Sequence, residues 1–274
     1  MDIQWYPGHM TKARRQILAD LKLVDIVIEL IDARVPQSSR NPDIPEIHRK
    51  PYVIAATKID LADAVRTKVW MDFWREKQEK VVLVNILAGQ GIGALNREIH
   101  NSLPNLPRIP RALIVGIPNV GKSSLINRLS GKSGAKTGAK PGVTRGKQWI
   151  KSSHFQFLDT PGILWPKFDS QEVARKLATI AAIKDDIVDW EENAVWLLNF
   201  LRINYCGCIK ARYNLSEDHE DTLAEIGRRR GCLQAGGIVD KRQAAHILLQ
   251  DFRSGRLGPI TLELPERKGE PHAE

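Results

Sequence analysis

The 274-residue sequence is poor in the features that define several large protein classes. Its three cysteines are too few for a disulfide framework, which favours a reducing compartment. No apolar run approaches the roughly 18 residues that a membrane-spanning helix needs. The first residues have neither the basic-then-apolar profile of a signal peptide nor the Arg/Ser-rich profile of a transit peptide. We therefore expect a cytoplasmic globular protein with no membrane partner.

Acidic residues are missing from one long stretch of the chain. Residues 99–158 contain ten Lys or Arg and no Asp or Glu, although acids make up 32 of the 274 residues overall. Residues 1–170 carry 26 basic and 15 acidic side chains, whereas residues 171–274 carry 15 and 17. A run of charge often marks only a solvated face. Sixty residues without an acid indicate instead that a polyphosphorylated partner binds nearby.

Hydrophobic periodicity divides the chain into two parts. Within residues 1–168, apolar runs such as Tyr52–Ala56 and Ala112–Val115 alternate with helical patterns. This alternation predicts an α/β fold with a mostly parallel sheet covered on both faces. After Phe168, apolar residues recur only at helical spacing, so we predict a smaller all-α domain over residues 171–274.

The segment Gly116–Ser123 has the phosphate-loop pattern G-x-x-x-x-G-K-[ST] between a predicted strand and a predicted helix. In such a loop, backbone N–H groups converge on phosphate oxygens, Lys122 reaches the β- and γ-phosphates, and the Ser123 hydroxyl ligates Mg²⁺. An ordinary glycine-rich turn is the alternative, and the correct flanking elements argue against it. The predicted nucleotide contacts in this segment are Asn119, Val120, Gly121, Lys122, Ser123 and Ser124.

Two later segments supply the other parts of a nucleoside triphosphatase. Asp159-Thr160-Pro161-Gly162 has the D-x-x-G pattern after a predicted strand. Asp159 would hold Mg²⁺ through water, and the Gly162 N–H would contact the γ-phosphate. Thr144 lies between the two motifs and is the expected second Mg²⁺ ligand in a switch loop. A simple turn residue is the alternative reading of Thr144.

The segment Thr57-Lys58-Ile59-Asp60 is similar to the guanine-recognition motif N-K-x-D. Asp60 would accept hydrogen bonds from guanine N1–H and N2–H₂, which adenine cannot offer. The aliphatic stem of Lys58 would lie along the base. The usual Asn of this motif tethers it through its side chain. Thr57 replaces that Asn, so we expect the tether to be reduced to one hydroxyl. A lone Lys/Asp pair ending a strand is the alternative, which the phosphate loop disfavours.

The order of these motifs differs from that of ordinary small GTPases, in which the phosphate loop comes first. Here Thr57–Asp60 precedes Gly116–Ser123, which precedes Asp159–Gly162. The same sheet can form from a chain that starts elsewhere, because chain termini often lie close together. We therefore predict a circularly permuted P-loop GTPase domain.

Several further segments accompany the permuted order: Trp5-Tyr6-Pro7-Gly8-His9-Met10, Asp32-Ala33-Arg34 and Lys184-Asp185-Asp186-Ile187. Together with the motifs above, they resemble the bacterial ribosome biogenesis GTPase A (YlqF-type) family. The similarity covers about residues 1–205 with specific motifs and the remainder more loosely. The resemblance implies a cytoplasmic GTPase that binds the immature large (50S) ribosomal subunit and its rRNA late in assembly. We also expect the protein to be a monomer. The sequence departs from the family pattern at Thr57 and at Asn85-Ile86-Leu87.

Ile163 stands where many GTPases place a Gln that orients the attacking water. The resemblance marks the chain as a hydrophobic-substituted GTPase, so another group must position the water or hydrolysis will be slow. His9 is our candidate, because an imidazole can position or deprotonate water. A surface or capping role is the alternative for His9.

Asn119 stands in the phosphate loop at a position that resembles the one where related GTPases carry an Asn that lets K⁺ bridge the phosphates. Such an ion would supply positive charge to the transition state. A role in capping the loop alone is the alternative.

More basic residues are present than one nucleotide can use, and we predict that the others contact the rRNA backbone. They fall in three groups: Lys132, Lys136, Lys140, Arg145, Lys147 and Lys151; Lys12, Arg14 and Arg15; and Arg228, Arg229, Arg230, Lys241 and Arg242. Solvated side chains are the alternative for any one group. Two other functions also stay open, namely a nucleotide-gated rRNA-binding module with incidental hydrolysis and a GTPase that serves RNA modification.

The cysteines Cys206, Cys208 and Cys232 do not have a zinc-binding spacing. We expect buried thiols there rather than a metal site.

Overall fold

The structure, a computed structural model, describes residues 15–40, 45–131, 148–152, 154–159, 170–215 and 221–266. These residues form two compact units. The α/β unit contains the described residues up to 159 together with residues 261–266. The helical unit contains the described residues from 170 to 260.

One six-stranded sheet forms the centre of the α/β unit. Its strands are β1 (Ile26–Asp32), β2 (Tyr52–Thr57), β3 (Val81–Val84), β4 (Arg111–Gly116), β5 (Gln148–Lys151) and β6 (Gln156–Asp159). The spatial order is β3-β2-β1-β4-β6-β5, and every neighbouring pair is parallel except β5 and β6. All seven residues of β1 are buried, as expected for a central parallel strand. The prediction of a mostly parallel sheet is confirmed.

Helices cover this sheet and complete its core. They are α1, described over residues 15–21, α2 (Ala64–Glu76), α3 (Ile92–Asn101), α4 (Lys122–Ser130) and a 3-10 turn at Pro45–Arg49. Trp70 and Trp74 of α2 are both fully buried against the sheet, with ring centroids 5.4 Å apart. Ile17 and Leu21 of α1 pack with residues of β1 and β4 in a second cluster. The burial of apolar side chains such as these is the main favourable contribution to folding.

The parallel strands bring the predicted motifs to one edge of the sheet. The register pairs Leu30 with Gly116 and Asp32 with Thr57, so β1, β2 and β4 end close together. Strand β6, which ends at Asp159, runs beside β4 in the same direction. Ligands of open α/β sheets bind outside the carboxyl ends of the strands. The permuted chain therefore assembles its phosphate and base motifs at one edge.

The helical unit has five α-helices among its described residues: α5 (Gln171–Thr179), α6 (Trp190–Asn204), α7 (Cys208–Tyr213), α8 (Thr222–Arg230) and α9 (Lys241–Arg253), with 3-10 turns at Asp185–Ile187 and Ala235–Gly237. The spacing of Asp240 and Gln243 in the sequence predicts a capping pair that opens a helix. The structure confirms this helix start, because the Asp240 carboxylate accepts the Gln243 N–H at 2.8 Å. No helix in the described ranges is both long and apolar enough to cross a membrane.

A buried carboxylate joins α7 to α9. Asp251 accepts from Arg212 Nε at 2.7 Å and from the Tyr213 hydroxyl at 2.9 Å. Burial alone would raise the pKa of Asp251, but the hydrogen bonds and the nearby guanidinium hold it below the usual range. This contact supplies a polar anchor within the apolar packing of the unit.

The cysteines are distributed differently from our expectation. Cys232 is buried, Cys208 is partly buried and Cys206 is exposed. The expectation of buried thiols is therefore wrong for Cys206, which follows the exposed end of α6. Within the described part of the chain, no group of three or more His, Cys, Asp or Glu is arranged to hold a metal ion.

The C-terminal residues do not stay with the helical unit, although we had assigned residues 171–274 to it. Residues 261–266, which we call the strap, belong to the α/β unit. The Leu262 N–H donates to Arg34 O at 2.7 Å, and the Trp70 indole N–H donates to Glu263 O at 3.1 Å. The Glu263 carboxylate accepts the N–H groups of Gln37 at 2.6 Å and Ser38 at 2.8 Å. The strap is therefore an integral part of the α/β unit.

Replacing Glu263 by Gln is expected to destabilise the α/β unit. The carboxylate accepts two backbone N–H groups through one oxygen and the Ser38 hydroxyl through the other, and the neutral amide of Gln is a weaker acceptor than a carboxylate. A buried group that loses its hydrogen bond costs about 1–3 kcal/mol. Thermal unfolding followed by tryptophan fluorescence should show a lower midpoint for Glu263→Gln. The exposed Glu266 provides the matched control, and an equal shift for Glu266→Gln would contradict the role of the strap.

Candidate nucleotide-binding site

The phosphate loop lies between β4 and α4, as its pattern predicts. Gly116 ends β4, and a Cβ added there would lie 2.6 Å from Leu30 O on the neighbouring strand. Gly121 has a φ of +106° and directly precedes α4. Side chains at these two positions would clash with the strand or strain the backbone. The glycines of the motif are thus required by the path of the loop itself.

Lys122 folds back over this loop. It is only 7% exposed, and its ammonium donates to Ile117 O at 2.7 Å and to Gly116 O at 3.0 Å. Lys122 is also the first residue of α4, whose N-terminus presents backbone N–H groups and the positive end of the helix dipole. The loop therefore combines a fixed cation with convergent N–H donors, which is the arrangement that binds polyphosphate.

Asn119 adopts the left-handed backbone conformation, with a φ of +60°. Asn tolerates this region better than most residues do. The loop conformation is thus a local reason for Asn at this position, and the K⁺ role stays a prediction.

The residues predicted to hold Mg²⁺ lie on neighbouring elements. Ser123 is in the first turn of α4, and Asp159 is the last residue of β6, the strand beside β4. Hydroxyl and carboxylate oxygens are the ligands that Mg²⁺ prefers, so this donor set fits the ion. When bound, Mg²⁺ neutralises charge on the phosphates. The predicted residues His9, Thr144 and Gly162 lie outside the described residues.

Thr57 connects the guanine motif to the phosphate loop. The residue is fully buried at the end of β2, and its Oγ1 lies 2.8 Å from Val120 O and 3.0 Å from Ile31 O. We expected the replacement of Asn by Thr to leave a single hydroxyl as the tether. That hydroxyl has a direct acceptor in the phosphate loop, so the base and phosphate segments are physically linked.

Replacing Thr57 by Val should weaken this link while keeping the shape of the side chain. The Val120 and Ile31 carbonyls would lose a buried donor. We expect the affinity for GDP to fall by about tenfold, which corresponds to one lost buried hydrogen bond. Titration with a fluorescent GDP analogue measures this change. Thr67→Val is the matched control, because the Thr67 hydroxyl donates to Asp63 O at the start of α2, away from the phosphate loop. Equal GDP affinity in both variants would contradict the tether.

Lys58 follows Thr57 with a φ of +58°, and its ammonium contacts a buried carboxylate. The Nζ atom lies 2.9 Å from Asp32 Oδ2 at the end of β1. Arg34 donates two hydrogen bonds to the same carboxylate, from Nε at 2.9 Å and from a terminal nitrogen at 2.8 Å. Burial would raise the pKa of Asp32, but the two cations outweigh burial and hold it well below the usual range.

Asp60 completes the guanine motif two residues after Lys58. It is exposed, so its carboxylate is accessible to a base. Sequence reasoning included Asp32 and Arg34 only among the segments that carry the family resemblance and gave them no role at the site. The signal that identifies them is a charged pair directly after a buried strand, at the edge where the other motifs lie.

The degenerate segment Asn85–Leu87 also lies beside the phosphate loop. A Cβ added at Gly121 would meet Ile86 Cδ1 at 2.9 Å. The Asn85 side chain accepts the Ala88 N–H at 3.0 Å, and its backbone N–H donates to Gln90 O at 3.0 Å. These bonds close a tight turn after β3, so the segment keeps its position although its sequence departs from the usual pattern.

Comparison with known proteins agrees with this geometry. A family model described as 50S ribosome-binding GTPase matches residues 111–203. The chain is 48% identical to ribosome biogenesis GTPase A of Bacillus cereus, covering 98% of this chain and 96% of that protein. It is 33% identical to the Thermotoga maritima protein of that name, covering 96% and 95% of the two chains. Mitochondrial ribosome-associated GTPase 1 of Bos taurus is 32% identical, covering 95% and 88%.

Solved structures show the same relationship. The GNP-bound crystal structure of YlqF from T. maritima superposes with a TM-score of 0.72 at 28% identity, covering 93% of this chain and 99% of that one. A GDP-bound structure of YlqF gives a TM-score of 0.71 at 27% identity, covering 92% and 100%.

Proposed function

The chain belongs to the ribosome biogenesis GTPase A family, and from this premise we propose that it binds the immature large (50S) ribosomal subunit and promotes its late maturation. It is a GTPase of ribosome assembly. The family membership supports the ribosomal partner, and the observation that carries the GTP site is the hydrogen bond between Thr57 and Val120, which links a base motif to a phosphate loop. One edge of the sheet thereby offers a site for a complete guanine nucleotide.

In the proposed site, the phosphates of GTP lie against the loop Gly116–Ser123 and the guanine lies against Lys58 and Asp60. Ser123, Thr144 and Asp159 would hold Mg²⁺, and the Gly162 N–H would contact the γ-phosphate. Lys122 stabilises negative charge on the phosphates as the bond to the γ-phosphate breaks. His9 would position the attacking water, since Ile163 cannot, and Asn119 would support a K⁺ ion. Hydrolysis is expected to be slow alone and faster on the ribosomal subunit.

The rRNA surface includes exposed basic residues on α8 and α9. Three of the five basic residues in this group pair with acids of the same unit. These pairs are Arg228 with Glu225, Arg230 with Asp251 and Lys241 with Asp221. Such pairs satisfy part of the positive charge internally. Arg229 and Arg242 are exposed, and they are the residues of this group best suited to contact RNA phosphates.

Sucrose-gradient sedimentation with large ribosomal subunits tests the proposed partner. The full chain should travel with the subunit in a GTP analogue and less so in GDP. Arg229→Ala with Arg242→Ala should weaken the complex and make its salt dependence less steep, by about one in slope for each lost phosphate contact. Arg228→Ala on the same helix is the matched control. Equal co-sedimentation with the subunit in both nucleotides, or no co-sedimentation in either, would contradict the proposal.

The same samples separate the alternatives. Multiple-turnover GTP hydrolysis should rise when large subunits are added. An unchanged rate with nucleotide-dependent binding would favour an rRNA-binding module with incidental hydrolysis. The proposed partner places the protein in the cytoplasm, and we expect it to act as a monomer.

A further inference from the structure

Asp32 connects the centre of the sheet to the predicted base site. It is the last residue of β1, and its side chain is fully buried. One carboxylate oxygen lies 2.9 Å from Lys58 Nζ and 2.8 Å from the terminal nitrogen of Arg34. The other oxygen accepts from Arg34 Nε at 2.9 Å and from the Arg34 backbone N–H at 3.1 Å. Asp32 thus contacts two cations, of which only Lys58 belongs to the guanine motif.

The carboxylate is held in a single orientation. Arg34 is itself only 2% exposed, and its planar guanidinium matches the carboxylate through two parallel hydrogen bonds. The Asp32 backbone N–H donates to Ser39 Oγ at 3.0 Å, and Arg34 O accepts the Leu262 N–H from the strap. Backbone and side chain are therefore fixed on both sides, and Asp32 forms a rigid anchor.

Lys58 is attached to this anchor at one end and to β2 at the other. Its side chain is 25% exposed, and its ammonium contacts Asp32. A free lysine side chain samples many rotamers, and ordering it on ligand binding weakens affinity. An ion pair that restrains the side chain before the nucleotide arrives reduces that loss.

We propose that Asp32, held by Arg34, is a positioning residue for guanine recognition, which restrains Lys58 so that its stem forms a ready-made surface for the base. This inference rests on the guanine site proposed above. Asp32 stays ionised throughout the physiological range, because the pKa of its carboxyl lies well below the usual value.

Glu29 is a matched control on the same strand. Its side chain is 4% exposed and also pairs with an arginine, since Arg40 lies 3.3 Å away. His48 is 3.6 Å from the same carboxylate. Glu29 lies three residues before Asp32, away from the carboxyl end of β1. Comparing substitutions at the two residues therefore distinguishes an effect of contact with the guanine motif from an effect of removing any buried, ion-paired carboxylate.

The test compares Asp32→Asn with Glu29→Gln in the full chain. Isothermal titration measures the affinity for GDP and, separately, for inorganic tripolyphosphate, which occupies only the phosphate loop. We expect Asp32→Asn to lower GDP affinity by about tenfold and to leave tripolyphosphate affinity unchanged. Glu29→Gln should change neither affinity. A purely structural role for Asp32 would lower both affinities together, and that outcome overturns the inference.

A double-mutant cycle with Lys58→Met completes the test. If Asp32 acts through Lys58, adding Asp32→Asn to Lys58→Met should cause no further loss of GDP affinity. A full additional loss overturns the inference. If Lys58→Met alone leaves GDP affinity unchanged, the proposed position of the base is wrong, which is a separate failure.

Asp32→Asn leaves the buried Arg34 charge without its carboxylate, so that variant is the one at risk of misfolding. Asp32→Asn combined with Arg34→Met removes both buried charges and still releases Lys58. We expect the same tenfold loss for GDP with tripolyphosphate affinity retained. Retention of wild-type GDP affinity in this double variant overturns the inference.

Discussion

Lys122→Ala is expected to lower GTP hydrolysis by at least about 100-fold. The Lys122 ammonium lies over the phosphate loop, within 3.0 Å of the carbonyls of Gly116 and Ile117. No other residue of the loop carries a positive charge, so its removal leaves the loop only its backbone N–H groups to stabilise the developing phosphate charge beside the bound Mg²⁺. Single-turnover hydrolysis of radiolabelled GTP measures the loss.

The exposed Lys68 on α2 provides the control for that substitution. Lys68→Ala removes the same charge from the same unit without touching the loop, so hydrolysis should stay at the wild-type rate. Thermal unfolding of both variants checks that the fold is intact. Hydrolysis by Lys122→Ala within twofold of the wild type would remove Gly116–Ser123 as the phosphate site.

Asp60→Asn is expected to change the preferred base. A carboxylate accepts two hydrogen bonds from guanine, whereas an amide presents one acceptor and one donor. Xanthine carries a carbonyl oxygen where guanine carries its amino group, so the amide suits xanthine. We expect GTP affinity to fall by about 100-fold and XTP affinity to rise. Competition titrations with GTP, XTP and ATP give the three affinities.

Asp72→Asn is the matched control for this change in specificity. Asp72 is half exposed on α2 and pairs with Arg75 on the same helix. Its substitution should leave the order of the three affinities unchanged. If Asp60→Asn lowers the affinities for GTP and XTP equally, Asp60 does not read the base, and the guanine site must lie elsewhere.

The fold of the α/β unit could be predicted well because its signals are local. Apolar runs that end in Asp32, Thr57 and Gly116 are typical of buried parallel strands, and the structure confirms each of them. The helix after Asp240 was likewise predicted from one capping pair. These elements depend on interactions within a few residues, so the sequence pattern contains most of the relevant physics.

The candidate site could be predicted only in part. The phosphate loop is recognisable because its glycines occupy positions where any side chain would clash, as at Gly116. The partners of Thr57 and Lys58 could not be predicted, since they belong to other strands and loops. The spacing between Lys58 and Asp32 in the chain does not indicate that they are in contact. They meet because β1 and β2 are neighbours in the sheet and end side by side.

The strap shows the same limit at the level of whole segments. Composition and periodicity assigned residues after 170 to one helical domain, but Glu263 contacts Gln37 and Ser38 more than two hundred residues earlier. No local pattern encodes a contact over such a separation.

The sequence alone determined the family, the permuted order of motifs and the residues predicted to contact the phosphates, because those features require particular residue types at fixed spacing. Only the tertiary structure decided that Thr57 holds the phosphate loop, that Asp32 and Arg34 anchor Lys58, and that the strap returns to the α/β unit. The physical reason is that these interactions join buried polar groups from distant segments, and burial is a property of the packed chain.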